Sequence, residues 1–147
     1  MNVRRLGVQD DPQAATALLQ RFFREEGFTT ADDTIAANLR RMLAMEHCAV
    51  LLAEEQGRAV GVATVSLEFG IEYGWSGEMG DLYVLPEHRA KGIARKLVAA
   101  AEDYLQSVGA AGYQVTVTPH GAAADLRRFY LALGFADEGR ELLYKLL

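Results

Sequence analysis

A basic, glycine-containing turn directly ahead of a strongly helical segment is the clearest candidate ligand site in this sequence. The first turn of a helix carries backbone N–H groups without intrahelical acceptors and a partial positive charge, so it attracts anions. Gly92 in this turn lets a ligand approach the backbone closely. Positive charge around it comes from Arg89, Lys91, Arg95 and Lys96. These residues predict a polyphosphate site, and a solvated basic face is the alternative interpretation.

Acidic and aromatic residues are concentrated between residues 68 and 81, where four carboxylates and three aromatic rings occur without any Lys or Arg. Carboxylates neutralise an incoming ammonium group, and aromatic faces bind it through cation–π contacts. This segment therefore predicts a site for a cationic amine, and merely solvated acids are the alternative. The predicted contacts are Glu72, Tyr73 and Trp75, with Glu25 and Glu26 extending the same acidic wall.

Hydrophobic periodicity and turn residues divide the chain into the elements that must position these groups. Apolar residues recur at helical spacing in residues 13–26, 35–43, 93–108 and 123–133. Apolar and β-branched runs predict strands at residues 2–8, 48–53, 59–69, 79–85, 113–118 and 142–147. Glycines and aromatic residues at 70–80 predict a loop, and residues 119–121 (Pro-His-Gly) are expected to end the strand before them.

The order of these elements is strand, two helices, three strands, helix, strand, helix, strand. It indicates an α+β fold in which helices cover a mixed sheet. The length of 147 residues is typical of one domain, and no repeat or linker interrupts the pattern. We therefore expect a single domain over residues 1–147.

Two of the acids, Glu78 and Asp81, lie on the predicted strand that leads into the basic turn. Side chains three residues apart on a regular strand point to opposite faces of the sheet. Only one of these carboxylates can therefore face a given reaction centre, unless a β-bulge lies between them.

Composition argues against several classes of function. The net charge of -5 at pH 7 disfavours binding to a phosphate backbone, so nucleic acid is not an expected partner. The longest apolar runs fall far short of the roughly 20 residues needed to cross a bilayer, and no apolar signal segment follows the N-terminal basic residues. We expect a cytoplasmic protein without a membrane partner.

The single cysteine, Cys48, excludes an internal disulfide and a multi-thiolate metal site. Because it lies in an apolar run, it is expected to be a buried structural thiol. A covalent acyl-cysteine intermediate is the alternative. No metal cofactor is predicted.

Two segments of the chain resemble the GNAT family of N-acetyltransferases. Residues 81–94 read Asp-Leu-Tyr-Val-Leu-Pro-Glu-His-Arg-Ala-Lys-Gly-Ile-Ala and look like the family's acetyl-CoA signature, R/Q-x-x-G-x-G/A, between a strand and a helix. Residues 129–135, Phe-Tyr-Leu-Ala-Leu-Gly-Phe, look like the family's F/L-Y-x-x-x-G-F ending. The resemblance covers the whole order of elements and, in sequence detail, the chain from about Gly77. It implies a mostly antiparallel sheet with helices on both faces.

The resemblance implies direct transfer of acetyl from acetyl-CoA to a primary amine in a ternary complex. Backbone groups of Leu82, Tyr83 and Val84 would pair with the pantetheine arm as though it were an added strand. A P-loop motif and a complete G-x-G-x-x-G motif are both missing, which disfavours other nucleotide sites. The residues implied to hold the pyrophosphate are Arg89, Ala90, Lys91, Gly92, Ile93 and Ala94, with Arg95 nearby.

Acyl transfer from a thioester to an amine needs a neutral amine and a proton for the departing thiolate. Tyr130 occupies the family's usual general-acid position, and a core tyrosine is the alternative. For the base, Glu78 is slightly favoured, whereas Asp81 resembles the acidic position of members that acetylate small amines. The expected acceptor is a small cationic amine of the polyamine, aminoglycoside-like or lysine-like kind.

The chain departs from the family pattern at two positions. Many members have an Asn where this chain has Ala123, and Leu126 replaces an Ala three residues later. One cofactor contact is therefore unassigned, and His120 is a candidate to line the same groove.

Several alternatives stay open at this stage. A peptide N-terminus or a protein lysine is a rival acceptor. The chain could instead be a non-catalytic acyl-CoA-binding regulatory module or a structural protein without a ligand. Apolar residues at 142–147 also suggest a homodimer.

Overall fold

Five strands form one sheet in the computed structural model, which describes residues 1–123 and 125–147. The strands are β1 (Asn2–Arg5), β2 (Cys48–Glu55), β3 (Arg58–Gly70), β4 (Gly74–Val84) and β5 (Tyr113–Gln114). They lie side by side in chain order. The first four are antiparallel to their neighbours, and β5 runs parallel to β4. The predicted mixed, mostly antiparallel sheet is confirmed.

The helices are α1 (Gln13–Glu26), α2 (Asp32–Leu43), α3 (Ile93–Ser107), α4 (Pro119–Ala123) and α5 (Leu126–Ala132), with a short 3₁₀ turn at Pro86–His88. The residues group into two units, Met1–Val115 and Thr116–Leu147, and each is described by itself. The first unit contains the sheet and α1 to α3. The single-domain prediction is not tested by this grouping.

Helix α1 has the bounds predicted from the sequence. Its stripe of apolar residues includes Leu18 and Leu19, which are buried. Gly27 ends the helix in the left-handed conformation, with φ 78°, where a residue without Cβ is favoured.

Helices cover both faces of the sheet, as predicted. A side chain added at Gly61 of β3 would meet Ile93 and Leu97 of α3. Thr64, three residues further along β3, lines a pocket with residues of α1 and α2. Because side chains alternate along a strand, α3 lies on one face and the α1–α2 pair on the other.

The core lies in the middle of the sheet. Residues 49–53 of β2 and 60–65 of β3 are all buried. Covering on both faces explains why these strands are continuous apolar runs rather than alternating ones.

The prediction of a loop at residues 70–80 is wrong. Strand β3 continues to Gly70, and β4 begins at Gly74, so these residues form the end of a long hairpin. Phe69 lies opposite Trp75 in the register, with ring centroids 5.1 Å apart. Such cross-strand aromatic pairs stabilise strand pairing, and here they outweigh the low strand propensity of the glycines.

The chain from residue 113 onward differs more from the sequence-based prediction. The strand predicted at residues 113–118 ends at Gln114, and residues 119–121, expected to break structure, begin α4. The helix predicted at 123–133 is confirmed only as α5, since residue 124 and the side chain of Ala123 lie outside the described part of the chain.

The strand predicted at residues 142–147 is also wrong, because these residues have no regular structure. Leu143 is 88% exposed and Leu147 is fully exposed. An apolar run forms a strand only where a neighbour accepts its backbone hydrogen bonds, and the sheet order contains no such neighbour for it among the described residues. The homodimer inferred from this segment stays a prediction.

Smaller differences concern β1, which ends at Arg5 rather than at residue 8. Cys48 is half-buried, not fully buried as expected, and burial raises the pKa of its thiol. None of the described helices has the length and apolar composition needed to cross a membrane.

Replacing Gly61 with valine is expected to destabilise the fold by roughly 1–3 kcal/mol. A Cβ at this position would lie 3.2 Å from the backbone oxygen of Tyr83 and 3.0 Å from Leu97. The matched control is Gly70→Val on the same strand, where a Cβ would meet nothing within 4 Å. Denaturant unfolding measures both, and equal losses of stability would contradict the close approach of α3 to β3.

Candidate functional site

The basic turn leads directly into α3, as the sequence predicts. Gly92 precedes the helix with φ 82°, and the first helical hydrogen bond runs from the Lys96 N–H to the Gly92 carbonyl at 3.2 Å. The backbone N–H groups of Ile93 and Ala94 come before that bond, and no described side chain caps this end. A Cβ on Gly92 would touch nothing within 4 Å. These donors are therefore open to an anion.

The turn keeps a backbone conformation that its residue types do not favour. Ala90 has φ 62°, in the left-handed region that residues with a Cβ rarely adopt. Such local strain persists only where surrounding contacts hold it, and it often marks ligand sites.

The four basic residues near this turn have different roles. Lys91, Arg95 and Lys96 are exposed around the head of the helix. Arg89 is turned back toward the protein: its Nε donates to the Val84 carbonyl at 2.9 Å, and its guanidinium pairs with Glu25 at 3.1 Å. Arg89 therefore ties the turn to the end of β4.

Glu25 joins α1 to this turn. Its Oε1 accepts a hydrogen bond from the Tyr83 hydroxyl at 2.7 Å, while Oε2 faces Arg89. The Arg89 guanidinium also lies 5.6 Å from the centre of the Tyr83 ring. Desolvation, together with the hydrogen bond to Glu25, raises the pKa of Tyr83 to about 12. The Glu25 carboxylate thus faces Tyr83 and Arg89 and not the acidic segment at residues 68–81, where it was predicted to contribute.

Strands β4 and β5 pair only over a short stretch. Their register contains Gly77 with Tyr113 and Glu78 with Gln114. Beyond Glu78, the edge of β4 has no strand neighbour on that side among the described residues.

The direction of the backbone groups on this open edge follows from alternation. The Leu85 N–H donates to the Val60 carbonyl of β3 at 2.9 Å. Because the N–H and C=O of one residue point the same way and neighbours alternate, those of Val84 and Leu82 point to the open edge. The bond from Arg89 to the Val84 carbonyl agrees with this direction.

A β-bulge lies between the two predicted carboxylates. Asp81 is opposite Thr64 and Met79 is opposite Val65, so Gly80 is an extra residue on β4. Glu78 is opposite Ser66, two residues from Thr64, and both carboxylates therefore lie on the α1–α2 face. The bulge is the exception that allows both acids to share one side of the sheet.

Asp81 has an unusual electrostatic environment. Desolvation raises the pKa of its carboxyl group, and the nearby charge of Glu78 raises it further. The Thr64 hydroxyl, which donates to Asp81 Oδ2 at 2.5 Å, acts in the opposite direction. Oδ1 has no hydrogen-bond partner in the part of the chain that the structure describes.

Asp81 and Thr64 also line a pocket of about 200 Å³ between the sheet and the α1–α2 pair. Its other lining residues are Leu19, Phe23, Thr30, Ile35, Asn38, Leu39 and Met42. The pocket therefore combines a carboxylate with largely apolar walls.

Tyr130, the predicted general acid, belongs to the second unit. It is 7% exposed, and desolvation raises its pKa to about 12. Gly134, with φ 97°, ends α5 so that the Phe135 N–H donates to the Tyr130 carbonyl at 3.2 Å. The Phe135 ring then lies 5.3 Å from the Tyr130 ring. Within the motif at residues 129–135, Phe135 thus contacts Tyr130 through both its backbone and its ring.

The predicted acceptor contacts lie toward the far end of the β3–β4 hairpin. Glu72 and Tyr73 are in its turn, and the Trp75 ring stacks 4.8 Å from His47. Seven to nine strand residues at about 3.3 Å each separate the turn from Asp81, a distance of roughly 25 Å. The hairpin end and the pocket are thus separate places on the first unit.

Other candidate chemistry is limited. The described residues contain no group of three or more His, Cys, Asp or Glu side chains arranged to hold a metal ion. His120 lies in α4, and its role in lining the cofactor groove stays a prediction.

Comparison with known proteins decides the family. The model of the acetyltransferase (GNAT) family matches residues 12–135 of this chain. The chain belongs to the GNAT family of acetyltransferases. This confirms the resemblance seen in the two motifs, and it makes the protein an N-acetyltransferase by class.

Curated relatives of this GNAT protein include two enzymes of Salmonella typhimurium. Aminoglycoside N(6')-acetyltransferase type 1 is 25% identical over 118 residues, which cover 78% of this chain and 80% of that protein. Aminoalkylphosphonate N-acetyltransferase is 28% identical over 128 residues, covering 86% and 79%. Among solved structures, the aminoglycoside N-acetyltransferase AAC(6')-Iy in complex with CoA matches with TM-score 0.84 and 21% identity, covering 99% of this chain and 93% of that one. At that identity the match shows a shared fold.

Sequence reasoning about this GNAT chain missed two features of the site. The link from Glu25 to Tyr83 and Arg89 joins residues 58 and 64 positions apart, and no local pattern indicates it. The pocket residues on α1 and α2 were expected only as a helical stripe. For the shared face of Glu78 and Asp81, the sequence did contain a signal. Gly80 lies between the two acids, and a glycine within a strand often marks a β-bulge.

Asp81→Asn is expected to stabilise the protein at neutral pH relative to wild type. A folded-state pKa above the ordinary 3.8 means that the native state binds more protons than the unfolded state. The wild-type free energy of unfolding therefore falls as pH rises from that value, and the variant lacks this loss.

Denaturant unfolding from pH 3 to pH 8 measures the difference between the two proteins. Asp103→Asn, at an exposed position of α3, is the control with the same charge change. A variant that loses stability in parallel with wild type as pH rises would show that Asp81 has an ordinary pKa.

Proposed function

We propose that this chain transfers the acetyl group of acetyl-CoA to the primary amine of a small cationic acceptor, by direct attack within a ternary complex. One observation carries the proposal: β4 leaves β5 after Glu78, and its open edge leads within a few residues to the uncapped head of α3. An extended arm ending in a diphosphate needs these two sites in this order.

The open edge supports binding of the pantetheine arm. Leu82 and Val84 direct backbone groups to that edge, so an amide-containing arm can pair with them as a short added strand. Tyr83 lies between them, and its N–H and C=O point to β3 while its side chain faces Glu25 and Phe22 of α1. The proposed backbone pairing with the arm is therefore limited to Leu82 and Val84.

The head of α3 supports binding of the pyrophosphate. The turn before α3 has two left-handed positions, Ala90 and Gly92, a conformation that favours anion binding by backbone N–H groups. The Arg89 N–H donates to the Pro86 carbonyl at 3.3 Å, so the proposed donors are the amides of residues 90–94. Lys91 and Arg95 add positive charge at the rim. Arg89 acts mainly on the shape of the turn, through its bonds to Val84 and Glu25.

We assign removal of the proton from the acceptor to Asp81. Its raised pKa makes it a better base than an ordinary aspartate, and its side chain is one of those that line the pocket. Glu78, on the same face, supplies negative charge that favours the arriving ammonium and the raised pKa. This assignment reverses the slight preference for Glu78 drawn from the sequence.

The proton balance of the proposed reaction is simple. Asp81 takes one proton from the ammonium, and the neutral nitrogen forms its bond to the thioester carbonyl carbon. The C–S bond then breaks, the sulfur gains a proton, and the nitrogen loses its second proton. The products are an amide, a thiol and one proton released to solvent.

Tyr130 is proposed as the group that assists the departing sulfur. A phenol with a pKa of about 12 stays protonated at neutral pH, so it can donate a hydrogen bond to a developing thiolate. If the Tyr130 phenol gives its proton to the sulfur, it regains a proton from the nitrogen of the acceptor.

Direct attack is supported over an acyl-cysteine route. Cys48 lies on β2, and burial raises the pKa of its thiol, which lowers the fraction of the nucleophilic thiolate. Glu72, Tyr73 and Trp75, the acceptor contacts predicted from the sequence, lie roughly 25 Å along the hairpin from Asp81 and do not line the pocket. They are therefore too far away to contact a small acceptor whose amine lies at Asp81, and the proposal does not include them.

Acetylation of a panel of amines, read by mass, tests this function. The panel contains small alkyl and aryl amines, a polyamine, an aminoglycoside and a lysine-containing peptide, each with acetyl-CoA. Turnover of at least one small amine with release of free thiol is expected. Turnover of the peptide alone would favour the peptide N-acetyltransferase alternative. Coenzyme A binding without turnover of any amine would favour a regulatory module.

Tyr130→Phe is expected to lower kcat by about 10²–10⁴-fold, the usual contribution of general acid–base catalysis. The fold should persist, because the ring and its contact with Phe135 are kept. Tyr144→Phe, at a position 85% exposed, is the matched control and should retain wild-type kcat. Unchanged kcat in Tyr130→Phe would remove this residue from the mechanism.

Glu25→Gln is expected to raise the Kd for coenzyme A by roughly tenfold, because a charge-assisted bond that fixes Arg89 and the turn is lost. Calorimetric titration with coenzyme A measures the change. Glu46→Gln, an exposed glutamate before β2, has the same loss of charge and should leave the Kd unchanged. Equal Kd values for both variants would mean that the bonds of Glu25 do not support the site.

A further inference from the structure

The pocket between the α1–α2 pair and the sheet changes character from its rim to its floor. Thr30 and Asn38 line it and are exposed, so they mark its opening. Leu19, Ile35 and Leu39 also line it and are at most 5% exposed. A ligand entering at the rim therefore meets hydrocarbon walls before it reaches the sheet.

The sheet end of the pocket contains its one charged group. Asp81 lines it beside Thr64, whose hydroxyl occupies Oδ2. Asp81 Oδ1 can therefore accept a hydrogen bond from a bound ligand. An ammonium group fits this end, because it supplies both the donor and the compensating charge for a desolvated carboxylate.

The volume restricts what else can enter. An apolar cavity of about 150 Å³ holds a benzene molecule, so about 200 Å³ has room for one six-membered ring and a short linker. Several linked rings do not fit inside.

The walls restrict the chemistry of that ring. Of the nine lining residues, five are Leu, Ile, Phe or Met, and the polar ones other than Asp81 and Thr64 lie at the rim. Ring hydroxyls inside would lose their hydrogen bonds to water without finding partners, which is costly for each group.

We infer that this pocket binds the acceptor amine-first, with the ammonium at Asp81 and a single small hydrocarbon group along the walls, so that the preferred substrates are primary alkyl- or arylalkylamines rather than amino sugars. The inference rests on the proposed function and deepens it by naming the acceptor class. The polar rim at Thr30 and Asn38 accommodates the outer end of a longer chain. The selectivity comes from this chain's own side chains on α1 and α2.

A matched pair of amines tests the chemistry of the walls. Cyclohexylmethylamine and 6-amino-6-deoxyglucose both carry an aminomethyl group on a six-membered ring, and they differ chiefly in ring hydroxyls. The expected kcat/KM is at least about tenfold higher for cyclohexylmethylamine. In a series from ethylamine to octylamine, kcat/KM should rise about fourfold per methylene and level off near six carbons.

Two variants of α2 test the location. Asn38→Trp narrows the opening without altering the buried floor, and it should lower kcat/KM for cyclohexylmethylamine at least tenfold while ethylamine is affected little. Ala37→Trp is the matched control, since Ala37 is exposed on the same helix and does not line the pocket. Circular dichroism and coenzyme A binding verify that both variants fold.

The outcomes separate this inference from the proposed function. Calorimetric binding of cyclohexylmethylamine in the presence of coenzyme A, weakened by Asn38→Trp, supports the pocket even if no amine is acetylated. The inference is overturned if kcat/KM does not depend on the chain length of the amine, is higher for the amino sugar, or is unchanged in Asn38→Trp. Any of these results leaves the proposed function intact. Absence of both binding and turnover overturns both.

Discussion

The extra residue at Gly80 is the constraint on which the candidate site depends. Without the bulge, Glu78 and Asp81 would point to opposite faces of β4, and one of them would lie beneath α3. With it, both carboxylates face the α1–α2 side, and each raises the local negative potential for the other. Desolvation raises the pKa of the Asp81 carboxyl group, and the nearby charge of Glu78 raises it further. The ionised form of Asp81 is therefore unfavourable for folding at neutral pH. Groups of this kind are common where a protein binds a cation or moves a proton.

One strand thus has two separate uses. The edge of β4 beyond Glu78 is open because β5 pairs with it only briefly, and this edge suits an extended ligand. The α1–α2 face of the same strand contains the carboxylates and the pocket. A donor lying along the edge and an acceptor on the face would meet beside the bulge, where the strand geometry changes. The arrangement is consistent with membership of the GNAT family, whose solved relatives include a CoA complex with the same fold.

Glu25 links these two regions. It projects from α1, whose Leu19 and Phe23 line the pocket, and it holds Tyr83 and Arg89 beside the proposed pyrophosphate turn. Because Glu25 and the pocket wall belong to one rigid helix, a shift of α1 moves both. The proposed acceptor pocket and the proposed pyrophosphate turn are therefore both in contact with α1.

Local signals in the sequence were enough to determine much of this protein. The helical stripe of α1, the buried runs of β2 and β3, and the glycine that opens α3 depend on neighbours a few residues away, so periodicity and residue type reveal them. The family motifs are local in the same sense. Local patterns failed where strand formation depends on a partner that is distant in the sequence. Most of residues 70–80 form strand because they pair with the opposite strand of the hairpin, whereas residues 142–147 have no strand neighbour among the described residues.

Tertiary structure alone decided what the site is made of. The sequence identified Glu78 and Asp81 but could not say that they share a face, since that depends on the register between β3 and β4. It could not pair Glu25 with Arg89, or bring Thr30 and Asn38 to the opening of a pocket whose charged end is Asp81. Such contacts join residues far apart in the chain, and their energy comes from desolvation and packing that exist only once the helices lie on the sheet. The motifs therefore determined the family and the reaction class, whereas packing decided which face of the sheet the two carboxylates share and which residues line the pocket.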